Sequence, residues 1–232
     1  MTREQRQADR RARSDRRARR ARRARPEVDG SVLRWPGARQ RFALFGEVLW
    51  VGALMALVSI PIVTWPAPVA AGSAHLRRFV HAEATPASAF FADVRAALPG
   101  GLVVGAATTA LAALAGVELA LLAGGVVPGA LAAALVAGAA ASVALTLALI
   151  AASLWSPADR WLALVRIAPR IARADVSGTA YVIVAVGLAG VVTWQFLPLV
   201  IPALGLVAFA LVAIAERRLV RLTAAARAVQ PA

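Results

Sequence analysis

The chain has 232 residues, of which 60% are hydrophobic, and a formal net charge of +14. Several apolar runs exceed the roughly 20 residues that cross a bilayer as helix, so the chain reads as an integral membrane protein. It contains no cysteine, which excludes disulfides, thiolate metal sites and cysteine nucleophiles.

All 26 basic residues are arginine, and 15 of them lie in residues 1–41. This arm has almost no apolar side chain larger than alanine, so it cannot bury enough surface to offset the entropy of ordering and is expected to be disordered in solution. Anionic lipid headgroups are its expected partner, since each basic side chain near such a surface contributes about 1 kcal/mol. Nucleic acid is the competing partner, with nonspecific and salt-sensitive binding. The plainer reading is a cytoplasmic retention signal, because positive charge beside a first span sets its orientation.

The membrane domain is expected over 42–216, with a short basic cytoplasmic tail over 217–232. Its first span, 42–64, is longer than the roughly 7–15 apolar residues of a signal-peptide core, which argues against cleavage despite the small residues that follow. Within it, Glu47 lies six residues after Arg41, roughly 9 Å along a helix, near enough to the interface for a structural role. Pro61, Pro66 and Pro68 then break the run. Pro61 and Pro66 disfavour helix in the residues before them, and Pro68 suits the first turn of a new one. A short or re-entrant helix over 67–80 is expected to carry Arg77 and Arg78 back to the cytoplasmic interface. Both termini and every basic connection then lie on the cytoplasmic side.

An amphipathic piece, ASAFFADVRAALPGG, leads into further spans expected at 101–124, 127–154, 177–197 and 199–215. Gly101 with Gly105, and Gly138 with Ser142, place small residues four apart, a spacing that permits close helix packing but also arises from alanine and glycine richness alone. Glu118 is the candidate functional intramembrane carboxyl. A neutral, hydrogen-bonded group is its plain state, and a proton-coupled or substrate-binding role the sharper one. Thr108, Thr109, Ser142, Thr146, Thr179, Tyr181, Thr193 and Gln195 can either line a polar path or bond between helices.

Between the third and fourth long spans, Ser156, Pro157 and Asp159 predict a helix start, and an amphipathic interfacial helix is expected over 157–173. Arg166, Arg170 and Arg173 share one face, opposite Trp161, Leu164, Val165 and Ala168, and are candidate contacts for a partner or for lipid headgroups. Pro169 is expected to kink the helix. There is no phosphate-binding loop and no HExxH, and His75 and His81 sit beside a basic pair and not in a motif with carboxylates. The chain is therefore read as a non-enzyme, with no catalytic, cofactor-binding or metal-binding residue assigned.

The stretch EVLWVGALMALVSIPIVTWPAPVAAGSAHLRRFVHAE resembles the signature of the YesL family, bacterial membrane proteins with a domain of unknown function. The resemblance rests on Leu49 and Trp50, then Ser59, Pro61, Val63 and Thr64, then Pro66, Ala67, Ala70 and Ala71, and finally Arg77 and Arg78. FFADVRAAL is similar to the segment that follows in the family, and beyond it only the layout agrees. Residues 1–41 and Glu118 have no counterpart in the pattern. The resemblance implies a place in the bacterial inner membrane and an association with carbohydrate uptake through ABC-type transporter subunits. It implies no catalytic residues. The sequence thus predicts an all-α polytopic membrane protein with about five full spans, a short or re-entrant helix and an interfacial amphipathic helix. Its function is either that of an accessory or assembly component, or that of a small transporter or channel with Glu118 in a polar pathway.

Overall fold

A computed structural model describes residues 41–125 and 129–229, with side chains described over 42–125 and 129–221. The predicted arm therefore lies outside the described residues, except for Arg41. Seven α-helices follow one another, and no strand occurs among the described residues: α1 Arg41–Val58, α2 Pro66–Val80, α3 Ala87–Ala123, α4 Ala130–Leu154, α5 Trp161–Ala174, α6 Val176–Gln195 and α7 Val200–Val229. The all-α, multi-helix architecture expected from the apolar periodicity is the one observed.

Four segments, Ala87–Ala123, Ala130–Leu154, Val176–Gln195 and Leu197–Arg221, are long and apolar enough to cross a membrane. The first expected span, 42–64, is shorter than the sequence implies. Its apolar helix covers Phe42–Val58, about 25 Å at 1.5 Å per residue, against a hydrocarbon thickness of about 30 Å. Pro61 ends it. A proline disfavours helical geometry in the residue before it, so the chain turns and forms a single 3-10 turn at Ile62–Thr64. Thr64 Oγ1 donates to the carbonyls of Val58 at 2.8 Å and Pro61 at 2.7 Å, tying the turn together.

After the turn α2 starts with prolines in its first turn, where their missing N–H groups cost nothing. It is the most enclosed element of the bundle, with every residue from Pro66 to Leu76 buried. The small side chains of AAGSA let three neighbours approach. Gly72 lies against Met55 and Val51 of α1, and a methyl group at Gly105 of α3 would overlap the Val63 carbonyl oxygen and crowd the Pro66 ring. On its remaining sides α2 packs against α4 and α7. Core residues Val51, Met55, Phe90, Ala151, Trp155 and Leu211 surround it.

The amphipathic piece and the second expected span form a single 37-residue helix, α3, which runs through Pro99. At the opposite boundary Ser156 and Asp159 do not cap α5 as expected. Their side chains bond to each other at 2.7 Å in the preceding turn, and the helix starts at Trp161. Trp161 decides that start, because its buried ring lies against Gly100 and its Nε1 donates to the Ala97 carbonyl at 2.8 Å. Pro169 lies inside α5, and the helix continues to Ala174. The expected tail is helical too: α7 carries Arg217, Arg218 and Arg221 as a continuation of the last span.

Candidate functional site

The last two turns of α2 place two polar side chains, Ser73 and His75, in the interior of an apolar bundle and two more, Arg77 and Arg78, half-buried at its edge. Ser73 and His75 have no exposed surface at all. The Nε2 of His75 lies 2.6 Å from Oε1 of Glu47 on α1, and with a carboxylate as acceptor that nitrogen carries the hydrogen and donates. The side chain of Glu47 keeps one-fifth of its surface exposed, so the pair reaches from the core to the bundle's edge. On its other side the imidazole meets the edge of Phe90, whose ring in turn stands edge-on to Phe91. The reading that set the histidines apart from carboxylates is thereby corrected for His75. Its partner is 28 residues away in sequence and is brought beside it by the α1–α2 hairpin.

One turn further on, Arg78 pairs with the buried carboxylate of Asp93 on α3. Arg77 donates to the Trp155 carbonyl at 2.7 Å, satisfying a backbone acceptor at the end of α4. Three helices are thus pinned to α2 by polar contacts: α1 through His75, α3 through Arg78 and α4 through Arg77. Ser73 Oγ and His75 Nδ1 remain buried with no hydrogen-bond partner. Buried polar groups are nearly always paired, so these two mark a place where the packing is not fully satisfied.

The family-signature positions fall into this same region. Thr64 closes the turn, Pro66 and Ala67 enter the core, and Arg77 and Arg78 make the two anchoring contacts. Pro61 sets the 3-10 turn from an exposed position, and Trp50 is half exposed on α1. A residue pattern that looks like a turn signature in the sequence is physically the entry, floor and exit of the buried helix.

Glu118 stands apart. It is half-buried in the C-terminal half of α3, and no side chain among the described residues pairs with it. Among the described residues, Glu118 does not line any of three apolar-walled cavities between the spanning helices. The largest, of about 690 Å³, lies between α4, α6 and α7 and includes Leu149, Val186, Trp194 and Val207. A second, of about 400 Å³, separates α6 from α7, and a third, of about 340 Å³, is bordered by Trp65, Thr108 and Ser142. Of the polar side chains expected either to line a path or to bond between helices, three bond nearby backbone carbonyls and one, Thr108, bonds Trp65, 43 residues away. Ser142 and Thr146 bond carbonyls one turn back in their own helix, Thr108 Oγ1 accepts from Trp65 Nε1, and Thr179 bonds the Asp175 carbonyl. The two small-residue pairs also differ: Gly101 and Gly105 pack closely against the start of α2, whereas Gly138 faces open space.

On α5, Trp161, Leu164 and Ala168 are buried, and Arg166, Arg170 and Arg173 are exposed. Arg173 Nε donates back to the Pro169 carbonyl at 3.2 Å. Where α5 meets α6, Asp175 caps the latter by accepting from Gly178 N–H at 3.1 Å, a type of contact worth about 1 kcal/mol. Arg218 Nε also donates to it at 2.7 Å and Arg217 at 3.2 Å. The Arg218 guanidinium, aided by the Gly178 amide and the Ser177 hydroxyl, holds the Asp175 carboxyl well below the ordinary carboxylate range against the opposing effect of burial. This clasp was hidden in sequence because its members are 42 and 43 residues apart.

Apolar helices of spanning length around a buried polar hairpin define a helical membrane-protein bundle. No family model, curated protein or solved structure matches the chain. Among the described residues no three histidine, cysteine, aspartate or glutamate side chains converge on a metal position.

Proposed function

We propose that the chain is an accessory or assembly subunit of a membrane complex, of the kind that its YesL-like segment associates with ABC-type carbohydrate uptake in the bacterial inner membrane. One observation carries this reading: α5 is fastened to the bundle through Trp161, Leu164 and Ala168 while Arg166, Arg170 and Arg173 face outward. An amphipathic helix held firmly on one face offers a rigid basic surface to a partner. With the basic ends of α2 and α7 on the cytoplasmic side, that surface meets cytoplasmic or interfacial parts of its partners. The transporter alternative has less support, because Glu118 shares no cavity or polar partner with the groups that would extend a pathway.

Gentle extraction of the tagged full chain from its own membranes, with identification of the copurifying proteins, tests the proposal. Saccharide permease or ATPase subunits are expected, and the triple change of Arg166, Arg170 and Arg173 to Glu should release them. Recovery of the chain alone, together with solute flux in liposomes that Glu118→Gln abolishes, would replace this reading with the transporter one.

A further inference from the structure

Between the end of α5, the start of α6 and the late turns of α7 lies a cavity of about 360 Å³, lined by Arg170, Ile171, Ala174, Asp175, Arg218 and Arg221. Three guanidiniums face one carboxylate, so the lining carries an excess of two positive charges. Asp175 is already heavily engaged. Its Oδ1 accepts from Gly178, Ser177 and Arg217, and its Oδ2 from Arg218 Nε. Arg221 comes no nearer than 3.6 Å to that carboxylate and stays largely exposed, leaving its donors available. Arg170 is exposed as well, with no carboxylate partner among the described residues. Arg218 is about nine-tenths buried, and its Nη2 has no acceptor.

A buried guanidinium nitrogen without an acceptor is costly, and Arg218 Nη2 together with the exposed donors of Arg170 and Arg221 around one cavity calls for an anion with several acceptor oxygens. The planar fork of arginine suits phosphate oxygens, and two or more forks converging from α5 and α7 can share one phosphoryl group. Ile171 and Ala174 add an apolar wall, which suits a phosphate attached to an organic group. The amide at the start of α6 is not part of this chemistry, because Asp175 already occupies it. We propose that this cavity is a binding site for a phosphoryl group, carried either by an anionic phospholipid headgroup or by a soluble phosphate compound. Arg170, Arg218 and Arg221 supply its donors, and Asp175 holds Arg218 in place.

The test uses the full chain in phosphatidylcholine nanodiscs. Phosphatidylglycerol is titrated in one arm and inorganic phosphate in the other, with bound ligand read by native mass spectrometry and by thermal shift. Arg170→Gln and Arg221→Gln leave the Asp175–Arg218 contact intact, and each is expected to weaken binding about fivefold. Arg95→Gln removes an exposed arginine on α3 outside the cavity and should change nothing. Phosphatidylglycerol retained over phosphatidylcholine and lost in the two cavity variants identifies the lipid source; phosphate binding lost in the same variants identifies the soluble one. Absence of both, or equal weakening by Arg95→Gln, overturns the proposal.

Discussion

Replacing Glu47 with leucine takes away the hydrogen-bond partner of His75, whose ring is wholly buried and whose Nδ1 already lacks one. Both ring nitrogens then lie unsatisfied in the core, at a cost of about 1–3 kcal/mol. His75→Leu alone is the milder change, because the Glu47 side chain is one-fifth exposed and can reach water or a headgroup. The double variant Glu47→Leu/His75→Leu strands nothing and should be less destabilised than the sum of the two. A hydrogen bond to a charged group in this setting gives an expected coupling energy of about 1.5–3 kcal/mol. Reversible unfolding in bicelles by steric trapping, followed by tryptophan fluorescence, measures all four corners of the cycle. Glu118→Leu is the reference change and should shift stability by less than about 0.5 kcal/mol, since no described side chain pairs with it. Additive single changes, with a coupling below about 0.5 kcal/mol, would show that the Glu47–His75 contact does not hold α2 in place.

Gly105→Ala should destabilise the bundle by about 1–3 kcal/mol in the same assay, because its methyl group meets the Val63 carbonyl and the Pro66 ring. Gly116→Ala, on the same helix with open space around it, should be neutral or stabilising by up to about 1 kcal/mol. Trp161→Phe removes the donor to the Ala97 carbonyl and is expected to cost about 1–2 kcal/mol, whereas the exposed Trp194 tolerates the same change. The depressed pKa of Asp175 fixes a sign for acid stability. Its contribution is complete above the ordinary carboxyl value of 3.8 and is lost as pH falls below that toward the folded value. Asp175→Asn should lower stability near neutrality and flatten the acid limb of a pH–stability curve below about pH 4.

The elements that were legible in the sequence are those decided by local chemistry. The apolar runs, the proline-rich turn, the helix over 67–80 and the two faces of α5 follow from residues close together in the chain. The features that escaped depend on partners far apart. Hydropathy ranks PAPVAAGSAHLRRFV lowest among the membrane helices, yet it forms the centre, because Glu47, Asp93 and the Trp155 carbonyl satisfy its polar groups from 28, 15 and 78 residues away. The start of α5 was misplaced for a related reason: a local capping pattern at Ser156 and Asp159 lost to a tertiary one, the burial of Trp161 against Gly100. Arg217 and Arg218 read as part of a short basic tail until Asp175 is placed beside them. The prominence of Glu118 came from its isolation within an apolar run, and that isolation persists in the fold.

The first and last helices touch through a reciprocal pair of glycines. A side chain at Gly52 would strike the Ile201 carbonyl, and one at Gly205 the Val48 carbonyl. Gly205 follows Gly52 by 153 residues, so this flank of α1 is covered only by a helix that emerges long after it.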